Sequence, residues 1–179
     1  MNISNLNEDQ LLAAMKDIMA AARDHGLVGW GGDCWSTAAA MNKALFGAEC
    51  TYVAAVNRPL SEAAIFIGHV AIKVPANPSC GRLYDMLFDA DGTPKSLEEI
   101  EAWGMLDPDD TDWQEMAYDN GIDWDDNSPF DAEIIFPDES TLARFGSPKR
   151  IEELTNIIEE CANSLQINLP EKTSQSPSI

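Results

Sequence analysis

Gly68-His69-Val70-Ala71-Ile72-Lys73-Val74 reads as a strand with two different faces. Successive side chains on a strand point to opposite sides, so Val70, Ile72 and Val74 share one face while His69, Ala71 and Lys73 share the other. The aliphatic face suits a core. His69, one of only 2 histidines in the chain, is thereby taken off the core-facing side, where its imidazole can open onto a cleft.

Working outward, the neighbouring segments also look extended. Thr51 to Val56, Ile65 to Val74 and Leu83 to Asp89 are apolar and rich in β-branched residues, and they are separated by the turn-forming clusters Asn57-Arg58-Pro59 and Pro75 to Gly81. These runs predict an antiparallel sheet. Upstream, Asn7 can cap a helix in which Leu11, Leu12, Met15, Ile18, Met19 and Ala22 recur at helical spacing until His25-Gly26. The turn Gly31-Gly32-Asp33 then leads into Cys34-Trp35-Ser36-Thr37-Ala38-Ala39-Ala40-Met41, a small-residue helix expected to end near Gly47. Cys34 falls at its start.

Downstream, Ser96 can cap a short helix through Trp103, followed by an acidic stretch to Phe130 with one helical turn expected near Trp113 to Tyr118. Ala132 to Phe136 reads as a further strand. Ser147-Pro148 opens a last helix with Ile151, Leu154, Ile157, Ile158, Cys161 and Leu165 on one face. The expected fold class is therefore α+β, with N-terminal helices on an antiparallel sheet and a C-terminal helix. One domain should span residues 1–167, with an acidic insertion at about 96–143. From Asn168 the composition offers almost nothing apolar to offset the entropy of ordering, so 168–179 should form a flexible tail.

Hydrophobic residues make up 45% of the 179, too many for a wholly disordered chain, and the 31 acidic against 11 basic side chains give a net charge of -20. Such a field repels nucleic acid and steers basic partners inward. The acid is uneven, with 16 Asp or Glu and no Lys or Arg between residues 96 and 143. Met1 to Asn5 shows no basic region leading into an apolar stretch, and no segment approaches about 18 consecutive apolar residues. A cytoplasmic protein without membrane contact is expected. Cys34, Cys50, Cys80 and Cys161 lie far apart with no C-x-x-C pair, which suggests reduced thiols rather than a zinc site or disulfide framework. The acidic runs from Asp107 and from Asp123 both lack the glycine and the final glutamate of a calcium loop. No metal or other cofactor is expected.

Chemistry requires a nucleophile, a base and an orienter. A thiol at a helix start is helped by unpaired backbone N–H groups and a partial positive charge, which selects Cys34. The N–H groups of Cys34 and Trp35 would begin an oxyanion hole, with Gly31 and Gly32 permitting close approach. Cys50 opens a strand, Cys80 lies in a Pro-rich loop and Cys161 belongs to an apolar helix face. Of the histidines, His25 sits at the polar end of an amphipathic helix, which leaves His69 as the base. Its second nitrogen needs a carboxylate, and the next strand supplies Asp89 first, Asp91 as the alternative and Asp85 third.

The order of Cys, His and Asp, carried on Gly-Asp-Cys-Trp, Gly-His-Val-Ala and Phe-Asp-Ala-Asp-Gly, resembles the papain-like cysteine hydrolase superfamily. Its spacings are most similar to transglutaminase-like and NlpC-type members, including small bacterial and phage proteins, over roughly residues 28–95. The resemblance implies a Cys-His-Asp triad of Cys34, His69 and Asp89, acting as a hydrolase or acyl transferase on an amide or thioester bond. The substrate would be a peptide or amide, with the acidic flank favouring basic ones. Papain has a Gln shortly before its Cys that helps bind the oxyanion, whereas Leu27 to Trp30 offers no amide. Asn42 and Asn57 are the substitutes, and spacing selects neither.

A second class of function rests on Trp103, Trp113 and Trp124 interleaved with acid. Those rings can anchor the segment to a core. Alternatively, residues 98–139 would engage a basic protein, or imitate DNA phosphates toward a DNA-binding partner, on a degenerate hydrolase scaffold.

Overall fold

The computed structural model describes residues 2–26, 34–58, 66–104, 131–138, 140 and 147–170. Among the described residues the α-helices and strands follow in chain order as α1 (Glu8–Asp24), α2 (Cys34–Phe46), β1 (Thr51–Arg58), β2 (Phe66–Val74), β3 (Met86–Phe88), α3 (Leu97–Gly104), β4 (Asp131–Ile135) and α4 (Pro148–Ser164). The fold is α+β. Its four strands form one antiparallel sheet in the order β3-β2-β1-β4.

Local sequence starts each helix. Asn7 and Gln10 form a reciprocal capping box at α1, with the Asn7 side chain accepting from the Gln10 N–H at 3.0 Å and the Asn7 N–H donating to the Gln10 side chain at 3.2 Å. Ser96 and Glu99 repeat the device at α3. At α4, Ser147 caps and Pro148 takes a first-turn position, where its missing N–H costs no intrahelical bond. The apolar stripe of α1 is buried at Leu11, Ala14, Met15, Ile18, Met19 and Ala22.

Helix α2 is the centre of the molecule. Of its 13 residues, only Cys34 and Lys43 escape burial, as its run of Ala, Met and Leu with a single charge requires. It packs between α4 and β2. Val70, Ile72 and Val74 of β2, with Tyr52, Ala54 and Val56 of β1, close the main core against α1, α2 and α4.

The other sheet face is covered too. Val53, Ala55 and Ala71 pack with Ile100 of α3, and Leu87 and Ile134 flank them. The strand pattern set His69, Ala71 and Lys73 apart from the core-facing side, yet Ala71 is fully buried. Alanine at that position keeps the surface flat enough for α3 to seat on it.

Three boundaries differ from the sequence reading. Only Met86–Phe88 of the run from Leu83 pairs in the sheet, because the chain turns at Asn77–Arg82 and leaves Leu83 and Tyr84 exposed. Leu165 is the C-cap of α4 and 43% exposed, so the buried face of that helix is Leu154, Thr155, Ile158, Cys161 and Ala162. Asn168 and Leu169, expected in a flexible tail, are packed: Asn168 O accepts from the Ile3 N–H at 3.2 Å and Leu169 packs on the main core. Most of the acidic insertion, the expected turn near Trp113 to Tyr118, and residues 171–179 lie outside the described residues. Among the described residues, no helix is long and apolar enough to cross a membrane.

Candidate active site

Three elements converge on one imidazole. Cys34 is the first residue of α2, half-buried against the main core. His69 lies in β2 opposite Ala55, and Asp89 directly follows β3. The β2–β3 register sets Ile72 opposite Phe88, so Asp89 falls level with Ala71, two residues from His69 along the sheet. Residues two apart on a strand share a face, which aligns the carboxylate with the ring.

The ring is held from both sides. Its Nε2 lies 2.9 Å from Asp89 Oδ1, and the Cys34 side chain is near enough to the same imidazole to help raise its pKa. With Nε2 committed to Asp89, Nδ1 is the nitrogen left for the thiol. His69 and Asp89 are both buried, at 9% and 5% exposure, so their interaction is weakly screened by water.

A local irregularity assists. Ala55 pairs with His69 but Val56 pairs with Ile67, so Gly68 is an extra residue in β2 next to the histidine. Such bulges bend a strand and re-aim the adjacent side chain. The sequence signal was the glycine inside an otherwise β-branched strand.

Asp89 is fixed by a turn rather than by its strand. The Asp89 N–H donates to Thr93 O and the Gly92 N–H donates to Asp89 O, both at 2.9 Å, and the Ala90 N–H donates to Asp89 Oδ1 at 2.6 Å. Gly92 adopts φ +79°, and a Cβ there would lie 2.7 Å from the Met15 carbonyl oxygen. Glycine at 92 is therefore required both by the turn and by its docking on α1. Arg23 of α1 holds the same turn through the Asp91 carbonyl at 3.2 Å.

Electrostatics follow from this geometry. Burial alone would push the His69 pKa down, but its hydrogen bonding to Asp89 and Cys34 and their charges outweigh it and raise it to about 9. Burial likewise pushes Asp89 up, but the His69 hydrogen bond and charge, the Ala90 N–H and Lys95 together hold it below the ordinary carboxylate range. At neutral pH the pair is an imidazolium and a carboxylate.

The competing residues are engaged elsewhere. Asp91 Oδ1 accepts from the Thr93 N–H and hydroxyl, and its Oδ2 lies 3.5 Å from Arg23. Asp85 pairs with Lys73 at 3.3 Å and accepts from the Ala76 N–H. His25 is an exposed helix cap. Cys50 and Cys161 are buried, and the Cys80 thiol donates to Leu6 O and Asn77 O.

The two backbone N–H groups expected to bind an oxyanion lie at the start of α2. The N–H groups of Cys34 and Trp35 belong to the first turn of α2, where no intrahelical acceptor exists. The Trp35 ring packs edge-on against Tyr52, with centroids 4.9 Å apart, which anchors that turn. Asn42 is excluded as a donor, because its amide is spent on Cys50, donating to Cys50 O and accepting from the Cys50 N–H at 2.9 Å each. Gly31, Gly32 and the Asn57 side chain lie outside the described residues. Among the described residues, no group of three His, Cys, Asp or Glu side chains could hold a metal ion.

Comparison of the chain with protein-family models, curated proteins and solved structures finds no match.

Proposed function

We propose that this protein is a cysteine hydrolase or acyl transferase acting on an amide or thioester bond, in the manner of the papain-like and transglutaminase-like enzymes its motifs resemble. The supporting observation is the His69 ring paired with Asp89 at 2.9 Å and also acted on by the Cys34 side chain at the start of α2.

An imidazolium beside the sulfur is the partner a thiolate nucleophile needs. In this mechanism the Cys34 sulfur attacks the substrate carbonyl carbon, and the N–H groups of Cys34 and Trp35 receive the developing oxyanion. Collapse breaks the bond to the leaving amine or thiol as His69 donates its proton to it. Water, or an acceptor amine or thiol, then attacks the thioester while His69 takes its proton, and Cys34 is released. Asp89 keeps the ring oriented and stabilises its cationic form throughout. The net charge of -20 favours cationic substrates.

The test is the pH dependence of iodoacetamide alkylation, mapped to individual cysteines by mass spectrometry. Cys34 should react at pH 6, where an ordinary thiol does not, and lose that reactivity in His69→Ala. Alkylation of Cys34 that tracks an ordinary thiol in both proteins would refute the proposal.

A further inference from the structure

The far end of β2 from His69 holds a second polar feature. A cavity of about 220 Å³ is lined by Ser4, Phe46, Glu49, Cys50, Val74 and Arg82, among others. Val74 is five residues along the strand from His69, a separation of about 17 Å. This cavity is not part of the candidate active site.

Arg82 is the unusual wall. It is 3% exposed, yet no carboxylate pairs with it among the described residues of a chain carrying 31 acids. Its Nε donates to Pro75 O at 2.9 Å and its Nη1 to Leu6 O at 3.0 Å. A guanidinium carries five N–H bonds in a rigid fork, so Nη2 is left without a hydrogen bond among the described residues. A buried cation without a counter-charge is costly, and a guanidinium edge matches a carboxylate in bidentate fashion.

Glu49, an exposed residue, lines the same cavity. Cys50 lines the cavity with them and feels both charges: burial pushes its thiol pKa up, Arg82 draws it down and Glu49 pushes it up again. The apolar part of the lining includes Phe46 and Val74, both almost fully buried. A simple anion would meet Glu49 and the acidic field of the whole protein. A neutral molecule with a carboxylate at one end and an ammonium at the other would not.

We propose that this cavity binds a small, uncharged-side-chain α-amino acid as its zwitterion, with the carboxylate on Arg82, the ammonium on Glu49 and the side chain against Phe46 and Val74. The volume matches a ligand the size of alanine or valine.

Isothermal titration of the full chain with L-alanine, L-valine, acetate and methylammonium tests this. The amino acids should bind at one site per chain, and acetate and methylammonium at least tenfold more weakly. Arg82→Gln should abolish amino-acid binding, with circular dichroism reporting whether it folds. Glu49→Gln alters an exposed side chain, so it serves where Arg82→Gln does not fold; it should weaken L-alanine at least tenfold while strengthening acetate. Absence of amino-acid binding would overturn the proposal. So would binding that Glu49→Gln leaves unchanged, or acetate binding as tightly as L-alanine.

Discussion

His69 Nε2 and Asp89 Oδ1 lie 2.9 Å apart in a site where both side chains are almost fully buried. The pairing makes stability depend on pH in a definite direction. An imidazole free in the unfolded chain titrates near 6.5, whereas in the fold His69 is raised to about 9. Its contribution is therefore complete below about pH 6.5 and disappears as pH rises through 9. Asp89, held below its ordinary value, contributes above the normal carboxylate range and loses that contribution as pH falls. Urea denaturation should show wild type more stable than Asp89→Asn by roughly 2–3 kcal/mol near pH 6, narrowing toward pH 9.5. A gap that stays constant across that range would contradict the ion pair.

The two aspartates of the turn should separate cleanly. Asp89→Asn removes the charge that sustains the imidazolium, so alkylation of Cys34 at pH 6.5 should slow at least tenfold. Asp91→Asn touches only Thr93 and a partly exposed contact with Arg23, and should cost about 1 kcal/mol or less of stability while leaving alkylation unchanged. Equal losses of reactivity in the two variants would mean that the turn, rather than the Asp89 charge, matters.

Gly92→Ala tests how the turn is seated. Its φ of +79° disfavours any side chain, and the new Cβ would meet Met15 O and Met19 Cγ at 2.7 Å. We expect a loss of roughly 2–4 kcal/mol, measured by denaturation. Because Asp89 is bonded through that turn, Cys34 alkylation should slow as well. A variant of wild-type stability would show that α1 is not docked there.

Ile100→Ala probes the smaller core. Ile100 is 1% exposed against Val53, Ala55 and Ala71, and truncation should cost about 2–4 kcal/mol. Loss of under about 0.5 kcal/mol would mean that α3 does not cover this face.

Much of this arrangement was legible in the sequence because each element announces itself locally. Asn7, Ser96 and Ser147 each sit where a cap must, and the β2 alternation separates Val70, Ile72 and Val74 from His69. Cys34 at a helix start and Asp89 after an apolar run follow from the same signals. What stayed hidden depends on partners distant in sequence. The burial of Ala71 needs α3, the choice between Asp89 and Asp91 needs Arg23 and the β2–β3 register, and the packing of Leu169 needs the main core. The engagement of Asn42 with Cys50 is likewise a tertiary contact that spacing does not reveal.

The most direct measurement is the capture of an acyl-enzyme. The chain is mixed with p-nitrophenyl acetate at pH 7, quenched in acid and analysed by intact-mass and peptide mass spectrometry. The account predicts one acetyl group per chain on Cys34, turned over by the wild type and formed far more slowly by His69→Ala. No acetylation of Cys34, or acetylation at a rate indifferent to His69, would contradict it.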